Sequence, residues 1–406
     1  MAKAKLSSWL LYRNPGRFLK DRKERIQFGL VVIGLMFASN WLGHNFLVEP
    51  PAKWYHDFQL RRRAKTQEHV TRVVQIDLGD HERLFGGMSP LPGAAVVQAA
   101  CALAGRGSSV VVVDLDTSSS VFPEDFQLPR SSVPIVWAVD TTWQAEGKKG
   151  LVQKADPVLG GRLATQPLYG IATMPADFDG VVRFWRSFEP IDGYPRPTLP
   201  WAAVQEYCRT GHGKCPKSKI AEVEAHPPAF TTDVRFENIH LSDFLTEASK
   251  EFPASCPVLS PDPRLKDRIV VLGGSYSRTD LHETPWGSRQ GAELVAMAIE
   301  QVFDPAPLHE LAEYFMIGLE LAIAFSIAAI HHWIRPIPAL LFTLLCLPLG
   351  VLISAELMFL FGDYEVGIVP FIVGMLIHQL VGSAERAEHR AYRLEQARAL
   401  VPRGVE

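Results

Sequence analysis

The stretch VTRVVQID, residues 70–77, is a run of apolar and β-branched side chains that ends on an aspartate. A run this short and continuous predicts a strand buried on both faces. PGAAVVQAACALA, residues 92–104, then places apolar side chains at helical spacing, and VVVVDLD, residues 110–116, is a second strand with an aspartate at its end. A third apolar run occupies residues 134–139. Strand and helix alternating at this spacing predict an α/β domain, with a mixed, partly parallel sheet flanked by helices.

Further along, residues 201–208 and 291–302 carry helical patterns and residues 268–272 a strand. DFDGVVRFWRSF, residues 177–188, sets an Asp-Gly turn before an alternating segment, which predicts a hairpin. In this segment Gly180 suits the turn and Arg183 an internal carboxylate.

The 406 residues carry a net charge of −3, with 47% hydrophobic and 21% charged side chains, so the basic excess of a nucleic-acid binder is missing. The charge is unevenly spread. Residues 26–48 hold no charged side chain, and 23 residues at 1.5 Å each are enough to cross a bilayer core of about 30 Å. Eight cations between Lys3 and Arg25, against Asp21 and Glu24, keep the residues before that segment in the cytoplasm. Apolar segments at 314–330, 336–361 and 366–381 predict three more spans, with His331, His332 and Arg335 on the inner side and Asp363 and Glu365 on the outer. The expected organisation is a cytoplasmic N-terminus (1–25), a first span (26–48), an extracytoplasmic domain (49–312), three spans (313–382) and a cytoplasmic helical tail (383–406). The α/β domain would thus stand on a four-helix transmembrane base. The tail's apolar stripe, from Leu380 to Val401, suits either a solvated helix or a short coiled coil that would make the chain a homodimer.

Four of the five cysteines fall in the middle block, where an oxidising compartment permits pairing. Cys208 and Cys215 enclose a short Gly-containing loop and are the pair the spacing favours; free thiols are the alternative. No paired CxxC motif points to zinc.

The order of these pieces resembles the CHASE type 2 family, extracellular sensory domains associated with bacterial cyclases and histidine kinases. The resemblance is carried by YHDFQLRRR (55–63), by VVQIDLGD (73–80) followed by VVVVDLD, by DFDGVVR (177–183), and above all by RIVVLGGSYSRTDLHETPWGSRQGAELVAMAIEQV (268–302). It covers most of residues 49–303. Where the family carries a Trp-Pro-Arg-like element, this sequence reads MSPLPGAAV (88–96). The resemblance implies a multi-pass protein of the bacterial inner membrane whose domain lies in the periplasm or outside the cell. About 25 residues follow the last expected span, too few for a kinase or cyclase, so the output would belong to a separate membrane or cytoplasmic partner.

In α/β sheets, ligands collect beyond the carboxyl ends of the strands. Asp77, Asp114 and Gly273, Gly274 and Ser275 sit at such ends, with Asp80 and Asp116 one turn further. The four carboxylates either converge on a hard cation such as calcium or magnesium, or cap helices and turns. Asp280, His282 and Thr284 form a polar run able to supply acid, base or ligand groups, or a structural loop. No nucleophile, base and orienter spacing marks an enzyme, and GGS lacks the remainder of a dinucleotide fingerprint, so no cofactor is expected. Glu320 and Glu356 fall at a common depth in adjacent expected spans, where they share a proton, meet a cation or reach toward water. These features predict a non-catalytic, ligand-binding sensory protein that signals through the bilayer. The competing expectation is an accessory or scaffold subunit of a larger membrane complex.

Overall fold

The computed structural model describes residues 49–303 apart from 64–65, 121, 123–125, 146–150, 162–166, 212–214, 216–228, 246–253 and 277–279, together with 309–310, 318, 322–323, 325–326, 330, 341–362 and 364–365. They fall into two compact units, Leu60–Ala306 and the remainder on either side of it.

The unit Leu60–Ala306 is built on a six-stranded sheet. Its strands are β1 (Thr71–Ile76), β2 (Val110–Asp114), β3 (Ile135–Val139), β4 (Tyr169–Ile171), β5 (Ile239–His240) and β6 (Ile269–Gly274). The order across the sheet is β5-β1-β6-β2-β3-β4, and every neighbouring pair is parallel. The expected mixture of directions therefore lies outside this sheet, in separate two-stranded antiparallel ribbons such as Phe188–Ile191 with Tyr194–Pro197 and Leu281–Thr284 with Gly287–Gln290. The last of the six in chain order, β6, is inserted between the first two, with Ile269 in register with both Thr71 and Val110.

The period of two along each strand sorts its side chains to opposite faces. Val73, Val110, Val112, Val136, Ile269 and Val271 face one helical layer, and Val74, Ile76, Val111, Val113, Val270 and Leu272 face the other. The first layer contains α4 (Leu199–Thr210) and α5 (Gly291–Phe303); the second contains α2 (Leu78–Phe85) and α3 (Gly93–Gly105). With both faces covered, the strands need continuous apolar runs, which is why VVVV serves here and an alternating pattern would not.

Local chemistry sets the helix ends. Asp77 is the N-cap of α2, its Oδ1 accepting from the Asp80 amide at 2.7 Å, and Gly86 closes the helix in the left-handed conformation at φ 65°. Gly211, at φ 71°, closes α4 in the same way. Near the end of α5, the buried Glu300 turns Oε1 onto the start of β1, accepting from the amides of Val70 (2.8 Å) and Thr71 (2.6 Å) and from Thr71 Oγ1 (2.6 Å). This carboxylate fixes where β1 begins under α5.

The hairpin expected at residues 177–188 does not form. Gly180, at φ 79°, makes the turn, and Asp177 and Val181 exchange one hydrogen bond of 3.0 Å. Beyond it Val181 and Phe184 make only isolated bridges, to Glu283 and Ala229. Arg183 is the reason: its buried guanidinium folds back onto Asp177 (2.7 Å) and Asp179 (2.8 Å), and the chain bends to allow it.

Two disulfides secure this unit. Cys208 and Cys215 close the short loop after α4, and Cys101 of α3 is joined to Cys256, 155 residues away. The second pair holds the 254–259 segment along α3, where the Leu259 amide donates to Gly105 O at 2.9 Å.

In the other unit, α6 (Leu347–Gly362) follows a π-helical turn at Phe342–Cys346. The expected transmembrane base is not seen among the described residues, where no helix is long and apolar enough to cross a membrane. The expected spans 26–48 and 366–381, most of 314–330, and Glu320 lie outside the described residues. Glu356, on α6, accepts a hydrogen bond from Tyr55 Oη at 2.9 Å. Tyr55 belongs to α1 (Glu49–Arg62).

Candidate functional site

The carboxyl ends of β2, β3, β4 and β6 open onto a cavity of about 450 Å³. Each strand delivers a polar group to it: Asp114 ends β2, Asp140 follows β3, Thr173 follows β4, and Gly274 ends β6. Asp116, Tyr276, Asp280 and His282 complete its polar lining, with apolar surface from Leu115, Met174 and Val295.

Two glycines set how closely the walls approach. A Cβ on Gly273 would stand 2.3 Å from the Ala292 Cβ, so only glycine lets α5 pack this tightly on β6. A Cβ on Gly291 would stand 2.6 Å from Asp280 Oδ1. Its absence admits the Asp280 carboxylate to the start of α5, where Oδ2 accepts from the Gly291 amide at 3.2 Å. Asp280 Oδ1 in turn lies 3.3 Å from His282 Nε2.

Electrostatics follow from this arrangement. The hydrogen bond with Asp280 holds the His282 imidazole above its usual pKa, with burial opposing. Asp114 retains some accessible surface facing the cavity, yet the protein around its carboxyl displaces most of its water. That desolvation pushes it up from 3.8 to about 7, with the nearby Asp280 charge adding to the rise and His282 working against it. The Asp114 carboxyl receives no hydrogen bond and no ion pair from any described residue. Asp116 and Asp140 spend oxygens on their own loops, Asp116 Oδ1 accepting from the Ser118 amide at 2.9 Å and Asp140 Oδ1 from the Thr141 amide at 2.7 Å.

A carboxyl whose folded-state pKa is raised binds a proton the unfolded chain has already lost, so it lowers stability as pH climbs from about 4 toward 7. Asp114→Asn should therefore leave the protein more stable than the wild type at pH 8, with the advantage shrinking toward pH 5. Denaturant titrations at the two pH values test this, and an equal loss at both would contradict it.

The sequence candidates separate into distinct places. Asp114, Asp116, Gly274, Asp280 and His282 meet in the cavity. Asp77 and Asp80 lie beyond β6, about 10 Å away at two strand spacings. There Asp77 Oδ2 faces His240 Nδ1 at 3.1 Å, and buried Asp80 accepts from the Ser242 amide at 3.3 Å. The four strand-end aspartates thus do not surround one ion. Asp77, Asp80 and His240 are the only described group close enough to hold a metal together. Gly273 serves helix packing, and the Ser275 amide donates to Ile76 O at 2.8 Å. Thr284 Oγ1 donates to Gly287 O at 2.6 Å inside its ribbon turn.

Asp140, Tyr276 and His240 escaped the sequence reading. Asp140 follows IVWAV, so it repeats the strand-end aspartate pattern of Asp77 and Asp114 on a third strand. Tyr276 stacks on His81, ring centroids 4.2 Å apart, a contact between residues with no sequence relation.

A family model described as CHASE2 domain matches residues 28–330. Neither the curated proteins nor the solved structures give a match.

Proposed function

Since the chain belongs to the CHASE2 domain family, we propose that it is a membrane-anchored sensory protein whose extracytoplasmic domain binds a small ligand and passes the signal through its membrane segments to a separate output partner. The cavity at the strand ends carries this reading. It is concave, part apolar and part polar, and placed where open parallel sheets bind ligands. Two disulfides in the Leu60–Ala306 unit suit an oxidising compartment outside the cytoplasm. Leu349, Ile353, Leu357 and Leu360 leave α6 with an exposed apolar face, which suits lipid or another apolar partner better than water.

The protein acts by binding, without turnover. Occupancy of the cavity shifts the equilibrium between two arrangements of the membrane segments, by as much as the ligand's affinity differs between them.

Thermal unfolding of the full chain in detergent, against a panel of small molecules, tests the reading. A true ligand should raise the midpoint in a saturable way, adding about 2.7 kcal/mol at a hundredfold excess over its Kd. A stoichiometric protein complex that copurifies, with no small-molecule effect, would assign the chain to a scaffold role instead.

A further inference from the structure

We propose that the cavity binds a small organic cation, an amine-bearing molecule, with Asp114 as its counter-charge; this rests on the sensory reading above and names its ligand class.

The start of α5 lines the cavity through Gly291 and Val295. A helix N-terminus ordinarily favours an anion. Here that preference is already met, because Asp280 accepts from the Gly291 amide at 3.2 Å. The glycine that makes room for this carboxylate removes the feature that would have drawn an acidic ligand.

Most of the charge-bearing side chains among the cavity's described lining residues are acidic. Asp114, Asp116, Asp140 and Asp280 line it, and no lysine or arginine is among its described lining residues. Asp280 has His282 and the α5 amide as partners, while Asp116 and Asp140 are tied to their own loops. The Asp114 carboxyl alone of the four makes no hydrogen bond or ion pair with a described residue, and it follows four fully buried valines of β2. A desolvated carboxylate without a partner is costly, and a ligand cation would supply the missing one.

An organic cation fits better than a bare metal ion. Among the described residues, only Asp77, Asp80 and His240 form a group of three whose ligand atoms all lie within 4.8 Å of one another, and they are not in the cavity lining. A volume of about 450 Å³, with Leu115, Met174 and the Tyr276 ring in its wall, has room for an apolar body, and an aromatic face attracts a cation.

The neighbouring groups give the pH dependence its sign. Asp114 must lose its proton to pair with the cation, and His282 repels a cation when protonated. Asp116, Asp140, Asp280 and Tyr276 are the other titratable groups that line the cavity with Asp114, and burial holds the Tyr276 phenol above its usual pKa. Affinity should therefore rise between pH 6 and pH 8.

The test is the melting of the full chain in detergent with putrescine, spermidine or choline, compared with succinate, glycerol, calcium and magnesium. At least one amine should raise the midpoint saturably, bind several-fold tighter at pH 8 than at pH 6, and lose about tenfold or more in affinity in Asp114→Asn. Asp116→Asn provides a second, exposed lining variant expected to weaken binding less, and Glu82→Gln, an exposed charge on α2, should leave it unchanged. No shift with any of the three amines overturns the proposal. Stabilisation by succinate or glycerol alone would also overturn it while leaving the sensory reading intact, and a calcium or magnesium shift that excludes the amines would replace it with a metal site.

Discussion

Replacing both Cys101 and Cys256 with alanine should cost the protein about 4 kcal/mol, with Cys208→Ala/Cys215→Ala costing about 2 kcal/mol. The difference arises in the unfolded chain. Cys101 and Cys256 are 155 residues apart, whereas Cys208 and Cys215 are separated by 7, so the first bond removes far more freedom from the unfolded ensemble. Denaturant unfolding of the two double variants, each beside the wild type, gives both losses. Equal losses, or a loss below about 1 kcal/mol for the long-range pair, would show that the bond merely decorates a segment already held by its backbone contacts to Gly105 and Arg130.

Glu300→Ala should be as damaging, at about 4 kcal/mol. Its Oε1 is the acceptor for the amides of Val70 and Thr71 and for the Thr71 hydroxyl, and the site is sealed beneath α5. Truncation leaves buried donors unpaired, each at about 1–3 kcal/mol. Glu300→Gln should cost much less, because an amide oxygen can take the same place and the second carboxylate oxygen has no partner among the described residues. If alanine cost less than about 1 kcal/mol, water would have to be entering behind the helix. The ratio of the alanine loss to the glutamine loss, from denaturant titration, separates these cases.

Much of the domain was legible because its local signals agree. The runs of valine at 110–113, the helical spacing at 92–104 and the strand-end aspartates each identify an element from side chains adjacent in sequence. The neighbours of each strand were not legible. Nothing in IVVLGG says that it enters between β1 and β2, since an all-buried strand accepts either side. The Cys101–Cys256 bond and the His81–Tyr276 stack are long-range in the same sense. The misread hairpin has a different origin: alternation after Asp-Gly was a sound strand signal, overridden by one arginine whose carboxylates lie behind it. In the cavity, Asp114 was visible at a strand end and Asp116 one turn beyond it, while Asp280 and His282 were visible as part of a compact polar run. Asp77 and Asp80 carried the same signal and stand two strands away, because a strand-end motif reports height in the sheet and says nothing of lateral position.

The placement of β6 also orders events during synthesis. Residues up to 267 can form only two separate pieces, β5 with β1 and β2 with β3 and β4, each with an open edge turned toward the strand not yet made. Open edges of apolar strands are sites for unwanted pairing. The sheet becomes one object only when residues 269–274 enter the gap, and α5, which covers that seam, comes after the ribbon that ends at Gln290. A chain synthesised from its N-terminus therefore carries its two half-sheets unsealed until the strand that ends at Gly274 has been made.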